Sequence, residues 1–164
     1  MYTESTIAGI INYLIQTNYD RIAGYTHAIT ALREGQDTDL RTLFHDYIEQ
    51  SRQFNSELLP FVIINGERLS PGNRISGKLH RFWLDIKAHV SGHDRKGILE
   101  ECERGEDATK KAYQEALKEA PDLPDHIVDI IRYHAEVQKA AHDYIRDLRD
   151  NRHGHNNEKH VIKT

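Results

Sequence analysis

The sequence predicts an all-α protein: an up-and-down four-helix bundle with an extra, shorter crossover helix between its second and third long helices. Three observations predict it. Apolar residues recur at three- and four-residue steps in four stretches of similar length, the spacing that lines one face of a helix. Helix punctuation falls between those stretches, at Gly35, Asn65-Gly66, Ser91-Gly92, Pro121 and Pro124. Only 38% of the residues are hydrophobic against 29% charged, which suits narrow buried stripes beneath wide solvated faces.

The first helix is expected over residues 5–33, with Ile7, Ile10, Ile11, Leu14, Ile22, Tyr25, Ile29 and Leu32 inward. Gly35 stops it, as a glycine just past a helix end commonly does. The second begins at Asp37 or Thr38, both capping residue types. It turns Leu40, Leu43, Phe44, Tyr47, Phe54, Leu58 and Val62 inward. Pro60 lacks the N–H that the helical ladder needs and is expected to bend the last turn. Residues 67–73 read as a loop and 74–90 as the crossover helix, packing Phe82 and Trp83 against the bundle. The third long helix spans about 94–118, on a seam of Ile98, Cys102, Gly105, Thr109, Ala112 and Ala116. The fourth starts near Pro124, a residue favoured in a first turn, and ends near Asp150. Short connections join one to two and three to four, and a long one joins two to three, which is the ferritin-like arrangement. Tyr25-Thr-His-Ala-Ile matches Tyr113-Gln-Glu-Ala-Leu at a shift of 88, the mark of a repeated helical hairpin. Residues 1–150 therefore make one domain, and 151–164, polar and unpatterned, a tail that holds His153, His155 and His160.

Composition narrows the function classes. The net charge of −4 gives no basic field for nucleic acid, and Asp147 and Asp150 cancel much of the local charge of Arg146, Arg149 and Arg152. No apolar run approaches the ~18 residues of a membrane span. The N-terminal residues lack the basic and small-residue marks of a secretory signal, and Cys102 stands alone, so no internal disulfide forms and a cytoplasmic setting is expected. Cys102 lies on the apolar seam and reads as a small buried hydrophobe. No glycine-rich phosphate loop and no nucleophile–base spacing is present.

Four stretches, LHRFWLDIK (79–87), ILEECERGEDA (98–108), YQEAL (113–117) and HDYIRDLRD (142–150), together resemble a bacterial ferritin-like four-helix-bundle family. Its members are largely uncharacterised and carry a domain-of-unknown-function label. The resemblance runs over about 7–150. It implies the bundle fold and a bacterial cytosolic setting, and no known reaction. That family's first helix often carries an acid a few positions before an aromatic; here the positions read Ile22-Ala23-Gly24-Tyr25.

A ferritin-like di-iron centre needs a Glu from each of two helices and a Glu-x-x-His pair from each of the others. This chain has Glu49-x-x-Arg52 and Glu136-x-x-Lys139 instead, with both glutamates projected outward. Asp20 and Asp107 also project outward, Glu57 and Glu103 lie at borders, and only Glu106 falls on the flank of an apolar face. A carboxylate there needs a cation, a metal or a proton of its own. The inward polar residues near each helix's midpoint are Asn18, Arg21, Ser51, Glu106, His134 and Gln138, with His142 at the edge. Arg21 or protonated His134 is expected to neutralise Glu106, with the amides and Ser51 completing a hydrogen-bonded layer where di-iron proteins hold metal.

Two functions stay open. One is a non-enzymatic, stress-associated bundle that acts through its surface or as a homo-oligomer, with no cofactor. The other is a metalloprotein that binds or oxidises iron or manganese through a reduced set, Glu57, Glu103, Glu106, His134 and His142. Neither nucleic acid nor membrane is an expected partner.

Overall fold

The computed structural model describes residues 4–64, 94–119 and 123–150. They form four helices and, among the described residues, no strand: α1 Glu4–Ala31, α2 Thr38–Ile64, α3 Arg95–Glu119 and α4 Asp125–Arg149. Each lies within two or three residues of its sequence-predicted bounds. The expected crossover helix, with Phe82 and Trp83, and the tail 151–164 lie outside the described residues.

Local chemistry sets the helix ends. After α1 the chain turns through Gly35 at φ 74° and Asp37 at φ 47°, both in the left-handed region. The Asp37 carbonyl then accepts from Arg41 N–H at 3.0 Å and opens α2. α2 runs on through Pro60 to Ile64. Asp94 caps α3: its carbonyl accepts from Ile98 N–H at 2.9 Å and its side chain from Lys96 N–H at 3.2 Å. The Pro124 carbonyl opens α4, accepting from Ile127 and Val128. Arg95, the first residue of α3, pairs with Asp37 and Asp39 and so ties the start of α3 to the start of α2.

The buried side chains form two apolar clusters. One joins the C-terminal halves of α1 and α4 to the N-terminal halves of α2 and α3, through Tyr25, Leu32, Phe44, Tyr47, Ile98, Cys102 and Ile145. The other joins the opposite halves, through Ile11, Leu14, Leu58, Val62, Tyr113, Ile127 and Ile131. Hence α1 and α4 point one way, and α2 and α3 the other. The order is up, down, down, up rather than strict alternation, and residues 65–93 join opposite ends of the bundle. α1 packs on α2 and α3, and α4 packs on α3 and more sparsely on α2, so every packed pair is antiparallel.

The repeated hairpin reaches well beyond the five-residue match. Buried Leu99, Cys102, Glu106, Thr109, Ala112, Tyr113 and Ala116 of α3 fall at the shift of 88 on Ile11, Leu14, Asn18, Arg21, Gly24, Tyr25 and Ala28, all buried in α1. The buried positions of α4, from Ile127 to Ile145, map in the same way onto Leu40, Phe44, Tyr47, Ser51, Phe54, Asn55 and Leu58, at an offset one residue shorter. The mapping exchanges the two apolar clusters. The hairpins are thus related by an approximate two-fold axis that crosses the bundle between them.

Gly35→Ala should lower stability by about 1 kcal/mol, since its backbone is left-handed and a new Cβ would touch nothing. Gly9→Ala, inside α1 with equally open space, should raise stability by about 0.5–1 kcal/mol. Urea midpoints of the two variants read the opposite signs directly.

Candidate functional site: a polar layer between two apolar cores

Between the two clusters every helix turns polar side chains inward. Asn18 and Arg21 come from α1, Ser51 and Asn55 from α2, Glu106 and Thr109 from α3, and His134 and Gln138 from α4, all buried. Glu106 is the hub. Arg21 Nε donates to its Oε1 at 2.6 Å, and neither side chain has any access to solvent. Tyr25 OH donates to the same oxygen at 2.8 Å. Gln138 Nε2 donates to Oε2 at 2.9 Å and to the Glu106 backbone carbonyl at 2.8 Å. The far side of the guanidinium is held as well: Arg21 Nη1 donates to Gln50 Oε1 at 2.8 Å and to Ser51 Oγ at 3.0 Å. Among the described residues Nη2 finds no hydrogen-bond acceptor. The guanidinium carbon instead lies 5.2 Å from the Tyr47 ring centre and 5.6 Å from that of Tyr25, within cation–π reach.

Of the two cations that the sequence offers to Glu106, the structure pairs it with Arg21. His134 is engaged elsewhere, with Nε2 3.1 Å from Glu57 Oε1 and its ring stacked on Phe54 at 4.1 Å. A second tier of amides completes the layer. Asn18 Nδ2 donates to Asn55 Oδ1 at 3.0 Å, Tyr113 OH donates to Asn18 Oδ1 at 3.1 Å, and Asn55 Nδ2 donates to the Ile15 carbonyl at 3.3 Å. The repeat explains this pattern. Asn18 is the counterpart of Glu106 and Tyr113 of Tyr25, so tyrosine-to-Glu106 and tyrosine-to-Asn18 are one contact made twice. The ion pair breaks the symmetry: the counterpart of Arg21 is Thr109, which donates to the Gly105 carbonyl at 3.0 Å.

The electrostatics keep these groups in one protonation state. Burial lowers the pKa of Arg21, but the Glu106 carboxylate, Tyr25 and Tyr47 together outweigh it and the guanidinium titrates above its ordinary value. Burial and then the Glu106 charge push Tyr25 far up, so it stays a donor. Tyr47 and Tyr113 are raised by burial first. Burial, again reinforced by Glu106, raises the Cys102 thiol well above its usual range, which fits a packing role and not a nucleophilic one. His134 moves down, because burial outweighs the pull of Glu57.

The five metal candidates from the sequence do not meet at one point. Glu106 is enclosed by Arg21, Tyr25 and Gln138, and Glu57 pairs with His134. Glu103 and His142 stand together at the α3–α4 edge with Asp107, the one group of three ligand atoms in mutual reach among the described residues. One projection needs correction. Asp20, placed outside, is fully buried, as is Thr17 beside it. α1 is covered on more sides than its apolar stripe, which is all that a projection sees. Asp107 is exposed as projected, and its carboxylate nevertheless reaches His142 Nε2 at 2.6 Å. Glu49 and Glu136 are exposed as projected. The sequence reading missed Tyr25 as a donor, because its ring satisfied the apolar pattern. It also missed Asn55, although its place one turn after Ser51 on the same face was a usable signal.

Glu106→Gln leaves Arg21 buried without a counter-charge and should cost about 3–5 kcal/mol, read as a lower urea midpoint. The double variant Arg21→Met/Glu106→Leu should recover most of that loss, since apolar replacement removes both desolvated charges. His134 gives a pH dependence. Its pKa is lowered from 6.5 on folding, so the unfolded chain binds more protons there at mildly acid pH. The contribution is complete above that ordinary value and is lost as pH falls below it. Urea midpoints should therefore fall between about pH 7 and about pH 5, less steeply in His134→Gln.

No curated protein matches the chain. A family model described as a domain of unknown function, DUF2383, matches residues 6–119. The matched stretch contains Asn18, Arg21, Ser51 and Glu106, while α4, with His134 and Gln138, lies beyond it. The chain belongs to the DUF2383 family, a domain of unknown function.

Proposed function

We propose that this chain is a non-enzymatic bundle of ferritin-like architecture, in which an internal ion pair takes the place where di-iron proteins hold metal. One observation carries the reading: Arg21, Tyr25 and Gln138 together occupy both carboxylate oxygens of the central glutamate. Its repeat counterpart, Asn18, is a neutral amide. Among the buried side chains of the layer in the described residues, Glu106 is the one carboxylate, where a di-iron site uses four. The helix order, with one long connection between opposite ends, and the repeated hairpin support the ferritin-like assignment. On this reading the layer sets helix register, and the protein acts through its outer surface or by self-association. The bacterial and cytosolic setting follows from the sequence resemblance, and the stress association belongs to the proposal alone.

The test is metal analysis of wild type and Glu106→Gln purified from cells grown with added iron and manganese. The expected result is that the metal content does not depend on Glu106. Stoichiometric iron or manganese in the wild type that is lost in Glu106→Gln would overturn the reading. It would favour a metalloprotein that binds or oxidises iron or manganese through a reduced ligand set.

A further inference from the structure

α3 and α4 bring a second set of charged groups together where the bundle meets solvent. Glu103 and Asp107, one turn apart on α3, face His142 on α4, and one ligand atom from each lies within 4.8 Å of the others. His142 is only 6% exposed. Its Nδ1 lies 2.9 Å from Asp143 Oδ1, and its Nε2 points at Asp107. An imidazole gripped at one nitrogen by a carboxylate, with the other nitrogen presented to further ligands, is the arrangement of metal-bound histidine. The outer carboxylate fixes the tautomer and strengthens the imidazole as a donor.

We propose that Glu103, Asp107 and His142 bind one divalent transition-metal ion, of the zinc or iron(II) class, with Asp143 as the positioning residue for the imidazole. Water completes the coordination. The mixture of one nitrogen and two oxygen donors suits these ions better than magnesium or calcium, which take all-oxygen shells. The site is independent of the Glu106 layer and adds to the function proposed above.

Three further observations support it. The first is charge. Glu103, Asp107 and Asp143 are three carboxylates, and among the described residues Arg149, Arg146 and Lys139, the cations paired with them, are shared or loosely held. Arg149 contacts Glu103 and also Asp150. Arg146 lies 3.5 Å from Asp143 and 3.3 Å from Asp147, and Lys139 stands 3.8 Å from Asp143. A dication would balance the excess. The second is access: the Asp107 side chain is 51% exposed, which opens a path for the ion. The third is the repeat. The equivalent positions in the other hairpin are Ile15, Tyr19 and Asn55, where Asn55 simply donates to the Ile15 carbonyl. That half packs with no acid and no histidine at these three positions, so packing does not call for them.

The experiment is calorimetric titration of Zn²⁺ alone into the full chain after chelator treatment, near neutral pH. The background carries His153→Ala, His155→Ala and His160→Ala, so the tail histidines cannot contribute. One ion per chain is expected. Asp107→Asn, a change on a half-exposed side chain that leaves the fold intact, and His142→Gln should each weaken binding by more than about 100-fold. Asp143→Asn should weaken it by about 10–100-fold. No saturable binding in the tail-substituted background, undiminished affinity in Asp107→Asn, or release by millimolar Mg²⁺ would overturn the proposal. So would an affinity that follows Glu106→Gln rather than Asp107→Asn.

Discussion

An ion pair with no access to water holds the centre of this bundle, and the surrounding side chains are the condition for its existence. Arg21 and Glu106 meet at 2.6 Å with both side chains fully enclosed. Taking two such charges out of water costs several kcal/mol per ion, and their attraction offsets this only when the remaining donors and acceptors are met. Here they come from three of the four helices: Tyr25 from the arginine's own helix, Gln50 and Ser51 from α2, and Gln138 from α4. The benefit is positional. Apolar stripes slide past one another at modest cost, whereas a one-turn slip of any helix here strands a buried charge. The pair therefore specifies axial register more than it adds net stability.

The layer sits where the approximate two-fold axis of the repeated hairpins crosses the bundle. On either side the two apolar clusters are made from equivalent positions, and the tyrosines donate to equivalent partners. At the axis the halves diverge, into Glu106 against Asn18 and Arg21 against Thr109. A symmetric centre with two carboxylates would repel itself without metal or protons. An asymmetric one, with one acid and one base, is neutral by itself. The layer's groups are also chemically quiet: burial and the Glu106 charge hold the Tyr25 hydroxyl and the Cys102 thiol protonated. A cluster nearer solvent lies instead at the α3–α4 edge, where the exposed Asp107 meets His142.

Much of the fold was legible because helix formation is local. The apolar period, Gly35 and the capping acids placed four helices within a few residues. The polar residues at mid-helix were legible too, since Asn18, Arg21, Ser51, Glu106, His134 and Gln138 interrupt otherwise apolar faces. Three things were not. Asp20 is buried although it lies far from the apolar stripe, because burial depends on what packs against a helix and not on that helix's own pattern. Tyr25 gave no sign of its hydroxyl's role, because its ring matched the core. Asp107 projects outward on a lone helix, yet it comes within reach of His142 once α4 packs beside α3.

The sequence by itself determined the helices, their lengths and the inward polar residues, because each follows from residue type and short-range spacing. Only the tertiary structure decided that Glu106 is neutralised by Arg21 rather than His134, that α2 and α3 run in the same direction, and that Glu103, Asp107 and His142 converge. Those outcomes depend on which faces meet and at what axial offset. Residues 85 positions apart, as Arg21 and Glu106 are, leave no trace of that in a one-dimensional pattern.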